Sequence, residues 1–139
     1  MRIADRLLSA LDRAMPPSTV VWAHCDLPCG IYDPAQARIE AESVKAIMEK
    51  ANASDDDYFK ERAAFIKEER ADLVKHHLWV LWTDYFKPEH LEKHPKLHEL
   101  FWTATKAAGE TKKTTDTAVA QKLLDSIAEI DTIFWDTKK

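Results

Sequence analysis

Both cysteines of the chain fall inside one run of eleven residues, His24-Cys25-Asp26-Leu27-Pro28-Cys29-Gly30-Ile31-Tyr32-Asp33-Pro34. Pro28 and Gly30 bend such a segment into a compact hook and draw the two sulfurs together. Two thiolates beside an imidazole make a soft, nitrogen-containing ligand set for a transition metal. The same residues could close one disulfide, cycle as a redox pair, or stand as idle thiols. No apolar secretory core precedes them, which disfavours a structural disulfide. Idle thiols are more often buried on a helix or strand than gathered in a turn. A closed zinc site wants four ligands, and three side chains do not complete one. Backbone nitrogen is the local supplement. Cleavage between Ala23 and His24 would expose a primary amine beside the cysteines, and amine and amide nitrogens with two thiolates favour a tetragonal or square-planar ion such as Ni(II) or Cu(II).

Other metal and nucleotide chemistries find no support. None of the eleven Glu residues has a His three positions later, as di-iron bundles require. There is no His-Glu-x-x-His, no Cys-x-x-Cys and no glycine-rich phosphate loop. His90, His94 and His98 recur every four residues, but Pro95 interrupts them amid charged neighbours, so they read as solvated surface histidines. Of His76-His77, one is expected to pack and the other to face water. Trp79, Trp82, Tyr85 and Phe86 read as core or interface packing.

The elements that must carry the hook are helices. Asp33-Pro34 is a helix-start signal, and the helix it opens is expected to run to about Ala51, with Ala37, Val44, Ile47 and Ala51 sharing a face with Glu40. A long second helix is expected from about Asp57 to Tyr85, stopping before Lys87-Pro88, with Phe59, Ala63, Ile66, Leu73, His77 and Leu81 as its stripe and Arg70 on the same stripe. A third spans about Pro95 to Ala108 with Gly109 as its C-cap, and the last about Asp116 to Trp135. Glu40 and Arg70 are lone opposite charges on otherwise apolar stripes; since buried charge is costly unless paired, they are expected to pair. With two Gly, six Pro, 45% apolar and 32% charged residues, the composition excludes a turn-rich sandwich and disorder, and the fold class is all-α, a four-helix bundle with an N-terminal metal-binding hook.

Residues 1–23 differ from the rest. Ile3, Leu7, Leu8 and Leu11 fall at helical spacing, and Pro16-Pro17 ends that pattern. The segment reads either as a short docking helix or as a removable leader. Twenty basic against 24 acidic residues give a net charge of −4 with no basic run, which argues against nucleic acid as a partner. No stretch approaches the roughly 20 apolar residues that span a bilayer, so no membrane partner is expected.

The hook motif at 24–34 resembles that of nickel-containing superoxide dismutases, with no departure at any hook position, and the similarity continues through AQARIEAESVKA, KEERADLVKHH, WTDYFKP and IDTIFWDTKK. The resemblance implies a precursor in which a protease removes 1–23, leaving a 24–139 domain that begins at His24. It implies one nickel ion per subunit on the Cys25 and Cys29 thiolates, the His24 α-amine and the Cys25 backbone amide, with the His24 imidazole axial in the Ni(III) state. The implied reaction converts superoxide to O2 and H2O2 by Ni(III)/Ni(II) cycling. Tyr32 would line the vestibule, Asp26 would have a structural or access role in the hook, Tyr85 would approach from another part of the fold, Lys87 would guide the anion, and Glu40 and Arg70 would hydrogen-bond the axial histidine. The family resemblance also implies a homohexamer, and the missing secretory core leads us to expect the cytoplasm. Two competing readings remain at this stage: a nickel or copper carrier or sensor without turnover, and a thiol protein cycling a Cys25–Cys29 disulfide.

Overall fold

Three aspartates set the beginnings of the helices. Asp33 Oδ1 accepts a hydrogen bond from Ala35 N at 2.8 Å, Asp56 Oδ1 from Phe59 N at 3.2 Å, and Asp116 Oδ1 from Ala118 N at 2.9 Å. Each satisfies a backbone donor that the first helical turn leaves without a partner. A computed structural model describes residues 30–139. The expectations on the leader 1–23 and on His24, Cys25, Asp26 and Cys29 fall outside the described residues.

Helix α1 is Ala35–Asn52 and α2 is Asp57–Val80, continued by a π-helical turn at Leu81–Tyr85. A short α3, Pro88–Lys93, leads to α4, Leu97–Thr111, and α5, Thr117–Asp136. The four long helices pack in the cyclic order α1, α2, α4, α5, joined by short connections in up-down-up-down fashion. The C-terminal end of α1 meets the α4–α5 loop, where Asn52 Nδ2 donates to Thr115 O at 2.9 Å. The opposite end gathers the start of α1, the π turn, α3 and the C-terminus. No strand occurs among the described residues.

The core holds Leu78, Leu81, Leu97, Phe101, Leu123, Ile127, Ile130 and Phe134, with Val44, Met48, Ala71 and Ala120 as a second cluster. Ala37, Ala41, Ala104 and Ala108 are fully buried, and their small side chains let the helix axes approach.

Several expectations need correction. On α2 the buried line is Ala63, Lys67, Ala71, Val74 and Leu78, rotated from the predicted one; Phe59 and Ile66 are exposed. Apolar residues lie on two faces of α2, and the larger ones look outward. Gly109 is not a C-cap. It lies inside α4, where a Cβ would come 3.3 Å from Lys75 Nζ, and Lys112 caps the helix. The third helix begins at Leu97 instead of Pro95. Pro88 opens α3 instead, since proline at the first helical position loses no helical hydrogen bond.

Candidate metal centre

Gly30 is the first described position of the hook motif. Its φ of +72° is the left-handed conformation that a side chain resists and that glycine adopts freely. Two residues on, Tyr32 is half-buried and its ring lies 5.7 Å from that of Tyr85. Tyr85 ends the π turn, where Phe86 N donates to Leu81 O at 3.1 Å. That five-residue step re-aims the side chains that follow, a device recurrent at functional sites. Around Tyr85 stand Phe134 at 4.5 Å, Phe86 at 5.0 Å and His90, stacked at 5.7 Å. Lys138 Nζ lies 4.7 Å from the Tyr85 ring centre, within reach of a cation–π contact. The Tyr85 hydroxyl is 2.7 Å from Thr137 Oγ1.

The expected pairing of Glu40 and Arg70 is present. Arg70 Nη1 donates to Glu40 Oε2 at 3.2 Å, bridging α1 and α2, and Arg70 Nη2 reaches Glu69 Oε1 at 3.3 Å. Both side chains are largely shielded, with 17% of Glu40 and 32% of Arg70 exposed, so the pair sits at the rim of the core beside the buried lines and not on them. Arg70 Nε is buried with no hydrogen-bond partner among the described residues.

The histidines that read as solvated are not all so. His90 Nδ1 accepts from Lys87 N at 3.1 Å and caps α3, and His94 Nε2 lies 3.2 Å from Asp136 Oδ2; their side chains are 17% and 21% exposed. His98 is exposed, its ring against Trp82. Of the other histidine pair, His76 faces water and His77 is half-buried, as expected. Lys87 is exposed. Lys93 donates to Asp136 and, with its charge nearby, holds that carboxyl below the usual carboxylate range. Burial pulls the Lys67 ammonium below the usual lysine value; its Nζ donates to Thr114 O at 2.8 Å. Among the described residues no cluster of three His, Cys, Asp or Glu could hold a metal ion. Thr137 and Lys138 escaped sequence reasoning, because residues past the last apolar position of α5 carry no periodic signal.

The comparisons with known proteins agree with one another. The family model for nickel-containing superoxide dismutase matches residues 19–138. "Superoxide dismutase [Ni]" of Streptomyces seoulensis is 63% identical over 129 residues, 93% of this chain and 98% of that protein. Its namesake from Streptomyces coelicolor is 60% identical over the same length. Among solved structures, a native nickel superoxide dismutase superposes with a TM-score of 0.82 at 62% identity, covering 84% of this chain and 100% of its own. Another, with nickel ligation of the oxidised state, gives 0.81 at 65%, covering 83% and 98%. With sequence, family model and fold in agreement over nearly the whole chain, this protein belongs to the nickel-containing superoxide dismutases.

Proposed function

We propose that residues 24–139 are the working subunit of this superoxide dismutase, released from the leader 1–23 by a processing protease. Nickel would be held by the Cys25 and Cys29 thiolates, the His24 α-amine, the Cys25 backbone amide and the His24 imidazole. The reading is carried by a family match that runs through an unbroken hook. It is supported by the native relative, whose entire chain aligns with 84% of this one, close to the length of residues 24–139 (116 of 139). The carrier and thiol-redox readings gain nothing from relatives named for dismutation.

The residues present fit the metal. Two thiolates with amine and amide nitrogens suit a square-planar Ni(II) ion. The Glu40–Arg70 pair suits a metal-bound imidazole as well: Glu40 keeps lone pairs beyond those Arg70 occupies and can accept from the ring N–H. Bound in the hook, nickel supplies a one-electron Ni(III)/Ni(II) couple whose potential the electron-rich thiolate and amide donors lower.

Every other task falls to the chain. Glu40 and Arg70 fix the orientation of the His24 ring and tune its donor strength, as hydrogen-bonded neighbours of metal ligands do. Tyr32 orders the small anion and its waters, Tyr85 stands beside it with its ring 5.7 Å away, and Asp26 shapes access to the hook. Two superoxide ions and two protons yield one O2 and one H2O2, so the vestibule must also admit protons. Lys87 attracts the anion locally. The exposed Phe65, Tyr58 and Trp102 support assembly of the subunits, read as a homohexamer. The cytoplasm is the proposed location.

The deciding experiment compares 24–139, bearing a free amino terminus, with uncleaved 1–139, both exposed to nickel, for metal content and superoxide consumption. The shorter chain is expected to bind one nickel and turn over, and the longer to do neither. Equal activity of the two would overturn the amine-ligand assignment. Cys25→Ser and Cys29→Ser are each expected to abolish turnover; activity in either would overturn the thiolate assignment.

A further inference from the structure

Two hydrogen bonds at the C-terminus fix the direction of a proton. Thr137 Oγ1 lies 2.6 Å from Phe134 O and 2.7 Å from the Tyr85 hydroxyl oxygen. A hydroxyl has one proton and a carbonyl oxygen can only accept, so the threonine proton is committed to Phe134 O. In the second bond Tyr85 is therefore the donor and Thr137 the acceptor. The phenol proton of Tyr85 is thereby spent inside the protein, and only a lone pair on its oxygen is left to offer.

The ring bearing that oxygen cannot easily turn to undo this. Phe134, Phe86 and His90 pack around it at 4.5 to 5.7 Å, and the Lys138 ammonium lies 4.7 Å from its centre and 5.2 Å from that of Phe134. Thr137 caps α5, its own N–H bonded to Ile133 O and Phe134 O at 3.1 Å. The end of the chain thus clamps the tyrosine that faces Tyr32.

We propose that Thr137 is a positioning residue for dismutation, holding the Tyr85 hydroxyl so that it presents a lone pair, and not a proton, to the vestibule. This rests on the reading that Tyr32 and Tyr85 line that vestibule. Tyr85 then accepts hydrogen bonds from water and from departing H2O2, both of which carry protons. It does not donate to superoxide or to other small anions, so the proton-bearing species are ordered without an added trap for anions.

The test uses nickel-loaded 24–139 and its variants Thr137→Val, Thr137→Ser, Tyr85→Phe and the double variant Thr137→Val/Tyr85→Phe. The first readout is the tyrosine Raman doublet, whose intensity ratio distinguishes donating from accepting phenols. Subtracting the Tyr85→Phe spectrum isolates Tyr85 from the other two of the three tyrosines. A donor signature is expected in the parent and in Thr137→Ser, and its loss in Thr137→Val. The second readout is azide affinity. The parent, Thr137→Ser and Tyr85→Phe are expected to bind azide equally. Thr137→Val, its phenol proton freed to turn toward the anion, is expected to bind about tenfold tighter, as one hydrogen bond to a charged partner allows. The double variant is expected to return to the parent value, which a merely structural defect at 137 would not produce. An unchanged Raman doublet in Thr137→Val, or weaker azide binding in Tyr85→Phe alone, overturns the proposal. If the doublet changes while all five proteins bind azide equally, Tyr85 is outside the vestibule and the reading beneath the proposal falls, whereas the hook assignment is judged separately by its own test.

Discussion

At the scale of single residues, the Glu40–Arg70 pair is the most informative contact in the bundle. It is too shielded to be an ordinary surface ion pair, and its arginine still has a buried donor without a partner among the described residues. A shielded carboxylate held by an arginine is suited to orient a neighbouring metal ligand. Glu40→Ala in nickel-loaded 24–139 is therefore expected to slow turnover and to change the EPR spectrum of the oxidised metal, while the far-ultraviolet circular dichroism stays that of a folded bundle. An unchanged EPR spectrum would show that Glu40 does not act on the axial ligand. The pair was legible in the sequence because two lone opposite charges on apolar helices invite pairing. The half-buried state of His90 and His94 was not legible, because it depends on α3 and on Asp136, which only the folded chain brings near.

At the scale of elements, existence and order were legible where caps and breaks are strong, at Asp33, Asp56 and Asp116. What failed was the phase of α2. Its buried line is Ala63, Lys67, Ala71, Val74 and Leu78, whose small or charged members give little periodic signal, while Phe59, Phe65 and Ile66 point outward. Periodicity follows large apolar residues, and here these face water and are available to subunit contacts. Gly109 misled for a related reason: it resembles a stop signal, yet it sits within α4 where the helix passes Lys75. Glycine inside a helix costs about 0.5–1 kcal/mol relative to alanine. Among the described residues, and apart from its own helix backbone, an added Cβ would meet Lys75 Nζ and Cε, the far end of a flexible side chain. Gly109→Ala is thus expected to raise the unfolding free energy by about 0.5–1 kcal/mol, seen as a higher urea midpoint at unchanged slope. A lower midpoint would mean that Lys75 is held too firmly to yield.

At the scale of the whole molecule, the field and the site pull in opposite directions. Loss of the proposed leader would remove Arg2, Arg6 and Arg13 against Asp5 and Asp12, leaving 17 basic and 22 acidic residues and a net charge of −5. A chain so charged repels superoxide at long range. Near Tyr85, however, Lys87 is exposed and Lys138 lies over the ring, while Lys93 is neutralised by Asp136. Screening separates these contributions, because the Debye length falls from about 30 Å at 0.01 M salt to about 10 Å at 0.1 M. If the local lysines dominate the approach of the anion, kcat/KM of the 24–139 enzyme falls as salt rises over that range. In Lys87→Gln/Lys138→Gln only the global repulsion remains to be screened, and kcat/KM is expected to start lower and to rise with salt. The opposite slopes of the two proteins are the signature to measure by pulse radiolysis. A rate that rises with salt in both would show that the negative whole, and not its positive rim, governs how superoxide arrives.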